Sequence, residues 1–146
     1  MIYCDTSFLV SLYIEDSHSK NAQQRLTKVR EPLVWTPWHN LELCTALAAK
    51  VGRGESTPRE VEGVRHQLER HRSPWGFFRE PPVRWPEALN LAAELGHQHG
   101  AAIRSRSLDV VHVAIALQIG TTRFWSFDTR QNTLAAALAL DVSEVG

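Results

Sequence analysis

The sequence predicts an α/β fold, a three-layer α/β/α sandwich around a mainly parallel sheet. Two observations carry that expectation: short apolar runs alternate with helix-period segments along the chain, and the first of those runs reads as a buried strand. A third sets the scale. With 146 residues, 43% of them apolar, the chain is long enough for one hydrophobic core and too short to divide comfortably into two, so residues 1–146 are expected to form a single domain.

Residues 2–5 read as a short buried strand ending on Asp5, followed by a helix from Ser7 to about Ile14. A second helix is expected from Ser17 or Ser19 to about Val29, and residues 32–36 as the second strand. The third helix begins near His39, carries Leu41, Leu43, Leu47 and Ala48, and stops at Gly52 and Gly54. Thr57-Pro58-Arg59-Glu60 is a strong start for the fourth: Thr57 caps, Pro58 suits the first turn and Glu60 reaches back to the cap. Its end is expected near Arg72.

Residues 73–83 hold Pro74, Pro81 and Pro82 among Trp75, Phe77 and Phe78, which predicts a loop or short edge strand. A helix follows from Pro86 and closes at Gly96 or Gly100. Ser107 is the expected cap of a helix over residues 108–119, apolar nearly all round and therefore buried, with Gly120 ending it. Residues 123–127 form the next strand, Asp128 opens a helix to about Leu140, and residues 141–145 are expected to add a short last strand.

Sixteen basic and sixteen acidic residues cancel, so a nucleic-acid-binding role must come from local placement of charge. Thirteen of the basic residues are Arg, whose planar fork suits phosphate. No apolar stretch approaches the ~20 residues needed to cross a bilayer, and the first residues lack a signal peptide's basic head and cleavage site. A cytoplasmic protein with no membrane partner is expected. Cys4 and Cys44 sit in apolar segments without metal-ligand spacing and are expected to be buried free thiols.

Four acids stand out, each with an ordinary structural explanation. Asp5 reads equally as the cap of the following helix, and Asp128-Thr129-Arg130-Gln131 has capping-box spacing. Asp109 lies in the first turn of its helix, where a negative charge favours the helix dipole, and Glu42 interrupts an apolar stretch where a surface ion pair would account for it. Jointly they suggest more. Ligands of open α/β sheets bind beyond the strands' C-terminal ends at the switch in strand order, and Asp5 and Asp128 each follow a strand directly. Several carboxylates in one crevice repel one another unless a divalent cation joins them, and Mg²⁺ and Mn²⁺ prefer oxygen ligands. There is no Walker A sequence, G-x-G-x-x-G, G-x-S-x-G or H-E-x-x-H. Most of the seven histidines read as surface groups, and His112, one turn past Asp109, reads first as a satisfied core residue rather than a base.

The chain resembles the PIN-domain family and, more narrowly, the VapC toxins of prokaryotic toxin–antitoxin pairs. The resemblance rests on Tyr3-Cys4-Asp5-Thr6-Ser7, on Asn40-Leu41-Glu42, on Arg106-Ser107-Leu108-Asp109-Val110-Val111-His112-Val113-Ala114, and on Phe124-Trp125-Ser126-Phe127-Asp128-Thr129-Arg130-Gln131. It implies a strand order of 3-2-1-4-5 and a Mg²⁺- or Mn²⁺-dependent endoribonuclease that leaves 5′-phosphate and 3′-hydroxyl ends. It implies also a homodimer neutralised by a small VapB-like antitoxin. Asp5, Glu42, Asp109 and Asp128 match the family's acidic quartet of catalytic metal ligands, and Ser7 and Ser126 match hydroxyls beside it. Arg104 and Arg106 are candidate RNA contacts, with solvated surface arginines the alternative. An arginine from the antitoxin is the expected plug of the acidic pocket, entered between the helices at residues 7–14 and 39–51. Two rivals stay open: a non-catalytic PIN-like interaction module, and a metal-dependent phosphohydrolase of small phosphates. Residues 75–85 are less typical of the family and are candidates for substrate or partner specificity.

Overall fold

The computed structural model describes residues 1–104 and 106–143. Among them four short parallel strands, β1 Ile2–Cys4, β2 Leu33–Val34, β3 Phe78–Arg79 and β4 Arg123–Trp125, lie in the order β3-β2-β1-β4. Beyond β4, Asp141 adds one parallel bridge to Arg123, which continues the expected order towards a fifth position. Residues 144 and 145 of the expected last strand lie outside the described residues. Among the described residues seven helices flank the strands: α1 Thr6–Tyr13, α2 Ser19–Thr27, α3 Pro37–Gly52, α4 Pro58–Arg72, α5 Trp85–Ile103, α6 Ser107–Gln118 and α7 Thr129–Ala137.

The strands alternate between two cores, which is what makes the sandwich three-layered. Tyr3, Val34 and Phe124 point into one core with Ala88, Ala92 and Leu95 of α5, residues 110–111 and 113–116 of α6, and Leu134 of α7. Ile2, Cys4, Leu33, Trp35 and Trp125 point into the other, against Phe8 and Leu9 of α1, Leu43 and Leu47 of α3, and Val64 and Leu68 of α4. A sheet buried on both faces needs strands apolar at successive positions, as in IYC, LVW and FW.

Helix starts follow the local chemistry. Thr57 caps α4 and Glu60 returns to the Thr57 N–H, forming the expected capping box. Thr36 caps α3 with Pro37 in its first turn, two residues ahead of the expected start near His39.

Three expectations are corrected. Helix α5 runs through Gly96 and Gly100 to Ile103, where Arg104 closes it in the left-handed region at φ 55°. Glycine weakens a helix interior by only ~1 kcal/mol per residue, and the burial of Ala88, Ala92 and Leu95 against α6 outweighs that. Ser107 is the first residue of α6 rather than its cap, and Asp109 Oδ2 satisfies the Arg106 N–H at 3.1 Å. Cys4 is buried as expected but Cys44 is exposed, because the α3 face it shares with Asn40 and Ala48 opens onto a surface cavity beside α4.

Candidate active site

Strands β1 and β4 are parallel neighbours, pairing Ile2 with Arg123 and Cys4 with Trp125, and this is where the strand order reverses. The Asp5 N–H donates to Trp125 O at 2.9 Å, which extends the ladder one residue and fixes Asp5 at the sheet's C-terminal end. Asp128 begins α7 three residues past β4. Both strand-end aspartates therefore face the crevice that an open parallel sheet offers ligands.

Asp5 is fully buried and held by five contacts from four residues. Oδ1 accepts from the Ser7 hydroxyl at 2.7 Å and the Phe8 N–H at 2.9 Å. Oδ2 accepts from Ser126 at 2.7 Å, Gln131 Nε2 at 2.8 Å and Ser7 at 2.9 Å. Burial raises its pKa, against the opposing pull of the His112 charge and of these donors, and burial prevails. Asp5 is thus both the helix cap and the centre of the site. The two serines serve the site as well: Ser7 Oγ accepts from the Phe127 N–H at 3.0 Å and Ser126 Oγ from the Asp128 N–H at 2.8 Å.

Glu42 is half-buried rather than a surface ion pair, and its Oε2 is taken by the Thr6 hydroxyl and His112 Nε2. Burial pushes this carboxyl up, but the hydrogen bonds and charge of His112 together with the Thr6 bond outweigh it and the net shift is downward. Behind it lies Tyr3, whose hydroxyl is 2.9 Å from His112 Nδ1. Burial, with the charges of Asp5, Glu42 and Cys4, holds this phenol well above its usual range. The protonated Tyr3 hydroxyl thus pairs with Nδ1 while Nε2 faces Glu42, so the His112 ring is held from both sides. His112 is a satisfied core histidine, as expected, and one that orients an acid of the site.

Asp109 and Asp128 close the ring. Asp128 caps α7, its Oδ1 accepting from the N–H groups of Arg130 at 2.8 Å and Gln131 at 3.3 Å, while the Arg130 guanidinium reaches Oδ2 at 3.3 Å. Partial burial raises its pKa, but the Arg130 and Gln131 bonds prevail and lower it. Gln131 Nε2 donates to Asp5 and also lies 3.4 Å from Asp109 Oδ1, so one amide nitrogen bridges two acids 104 positions apart in sequence. Its partner atom, Gln131 Oε1, is buried with no donor.

All four acids line one cavity of about 530 Å³, with Arg106 on its rim; Arg104 lies outside it, at the C-terminal end of α5. The apolar wall is formed by α3 and α6, where Leu41 is 57% and Leu108 52% exposed. Helices α1 and α3 pack against each other, so the open groove lies between α3 and α6 rather than between α1 and α3. Among the described residues no three His, Cys, Asp or Glu side chains are gathered tightly enough to hold an ion as they stand. The donor set nevertheless fits a hard divalent cation: carboxylate oxygens around one cavity, with a buried amide oxygen lacking any donor.

Sequence reasoning missed Thr6, Tyr3 and the bridging part of Gln131, and it gave His39 no role beyond marking the start of the third helix. His39 is fully buried, with Nε2 2.7 Å from Cys4 O and Nδ1 2.8 Å from the Thr36 hydroxyl. Only the Thr36–His39 capping spacing could have signalled it. Among the described residues no helix is long and apolar enough to cross a membrane. No curated protein matches the chain closely enough to be named as a relative. The PIN domain family model matches residues 2–137, from the first strand to the end of α7; the chain belongs to the PIN domain family.

Proposed function

We propose that this protein is a Mg²⁺- or Mn²⁺-dependent endoribonuclease and the toxin of a VapBC-type pair. PIN domains are generally nucleases, and one observation carries the reading for this chain: Asp5 and Asp109 share the Gln131 amide at a cavity that Glu42 and Asp128 also line. Asp5, Glu42, Asp109 and Asp128 are the residues that would hold the cation. When bound, it supplies Lewis acidity at the scissile phosphate and a more acidic water.

The chain's own groups do the rest. Ser7, Ser126 and Gln131 fix the Asp5 carboxylate, and Thr6 with His112 fixes Glu42, so neither acid must reorganise as substrate enters. Arg106 on the rim meets RNA phosphate, and Arg104 reaches it further out. Mg²⁺ or Mn²⁺ is expected to support RNA cleavage and to raise the melting temperature, because it binds only the folded site. Chelator should abolish both effects. Cleavage undiminished in excess chelator, with trace metal excluded, overturns the reading.

The exposed Leu41 and Leu108 beside four carboxylates suit an antitoxin segment that lays apolar anchors in the α3–α6 groove and inserts an arginine among the acids. A homodimer belongs to the same proposal. Expression alone should slow growth, and a small protein encoded beside this gene should restore it. Changing the plugging arginine of that partner to Ala should restore RNA cleavage in the intact complex. If no arginine change does so, inhibition works by blocking RNA access instead.

A further inference from the structure

We propose that a second cavity, at the opposite end of the sheet from the acids, is an RNA-contact site that holds a single-stranded stretch of substrate away from the scissile bond. The proposal rests on the nuclease reading above. The cavity, of about 570 Å³, opens where the chain enters β2 and β3, beside Pro32 and Phe77. Arg30, Arg70 and Arg79 line it together with Trp75.

Trp75 is 96% exposed, so a large aromatic face stands in water with nothing packed on it. Its place is fixed by a tight turn. The Gly76 N–H donates to Ser73 O at 2.9 Å, Pro74 restricts the backbone just before Trp75, and any side chain at Gly76 would collide with the His71 backbone, whose oxygen is 1.9 Å from where a Cβ would sit. The turn fixes the backbone from which the indole projects into solvent.

The charge around it is cationic and available. Among the described residues neither Arg30 nor Arg70 is paired with a carboxylate. Arg79 Nη1 donates to Gly76 O at 2.7 Å and to Phe78 O at 2.6 Å, which ties the guanidinium to the turn that carries Trp75. Glu31, also on the rim, is occupied by Arg123 Nη1 at 2.6 Å. In a chain of zero net charge, three guanidiniums beside an open indole are a local concentration. Single-stranded nucleic acid uses both parts, phosphates on the cations and a base stacked on the aromatic face. An acidic peptide would satisfy the arginines and leave Trp75 uncovered.

The test measures binding of poly(U) in chelator, where no metal-dependent cleavage occurs, and separately cleavage of poly(U) and of a trinucleotide with Mn²⁺. Trp75→Ala is expected to weaken poly(U) binding roughly 5- to 150-fold, the loss of one stacked base, while Trp75→Phe retains most of it. Arg30→Gln and Arg70→Gln should each reduce the slope of log affinity against log salt by about 0.7. Each weakened variant should raise KM for poly(U) and leave trinucleotide cleavage unchanged, because a trinucleotide confined to the acidic pocket does not reach this cavity. Wild-type poly(U) affinity in all the variants overturns the inference while leaving the nuclease reading intact. Loss with the arginine changes but not with Trp75→Ala reduces the cavity to general charge attraction and overturns the inference too. Binding through Trp75 and the arginines with no metal-dependent cleavage supports the RNA site and removes the nuclease reading.

Discussion

Asp128→Asn is expected to leave the fold standing and to cut RNA cleavage by about 100-fold or more. Asn caps helices about as well as Asp, and the retained Oδ1 still accepts from the Arg130 and Gln131 N–H groups. What is lost is the negative charge and its pairing with the partly exposed Arg130, an interaction of a kind worth about 0.2–1 kcal/mol. The loss at a proposed cation-holding acid is larger, since even groups that only support a metal's ligands typically cost 10–100-fold. Melting and cleavage measured on one preparation separate the two roles. Full cleavage removes Asp128 from the catalytic set, and an unfolded variant shows that its charge, not its cap, holds the β4–α7 corner.

His39 is expected to make the protein acid-labile above the range where its carboxylates titrate. Burial, reinforced by the His112 charge and opposed by the bond to Cys4 O, lowers its pKa from 6.5 to about 3. The unfolded chain therefore takes up the proton first, so this contribution is fully present above pH 6.5 and is lost as pH falls from there towards 3. At about 1.36 kcal/mol per unit, it amounts to about 2 kcal/mol by pH 5. Asp16 and Asp128, whose folded pKa values are lowered, lose stability only below the ordinary carboxylate range, and Asp5, whose value is raised, acts in the opposite direction. Partly buried His71, also lowered, adds a smaller slope of the same sign as His39. Denaturant unfolding of wild type and His39→Gln between pH 6.5 and 5 isolates the His39 share, because Gln does not titrate. An unchanged slope in the variant excludes His39 as the sensor.

The family match over residues 2–137 agrees with what the chain's own residues indicated. Strand–helix alternation, the Thr57–Glu60 capping box and the position of Asp5 and Asp128 at strand ends were readable because each depends on neighbours a few residues away. The extent of α5 was not, because glycine's small local penalty yields to burial against α6, a contact no helix period reveals. Nor was the difference between Cys4 and Cys44, which are both set in apolar sequence and separated only by which side of an element meets the core.

The four acids themselves were named by the sequence, and what surrounds each was decided by packing. Tyr3 meets His112 across 109 positions, and Gln131 meets Asp5 across 126. These pairings exist because β1 lies between β2 and β4 with α6 packed on the same face as Tyr3. The sequence by itself determined the elements, their caps and the acids at their ends, since those follow from local backbone chemistry and periodicity. Only the tertiary structure decided which donors hold each acid, that His39 is buried, and that Trp75 stands open among three arginines, because burial and hydrogen-bond partnership belong to residues that meet only when the sheet closes.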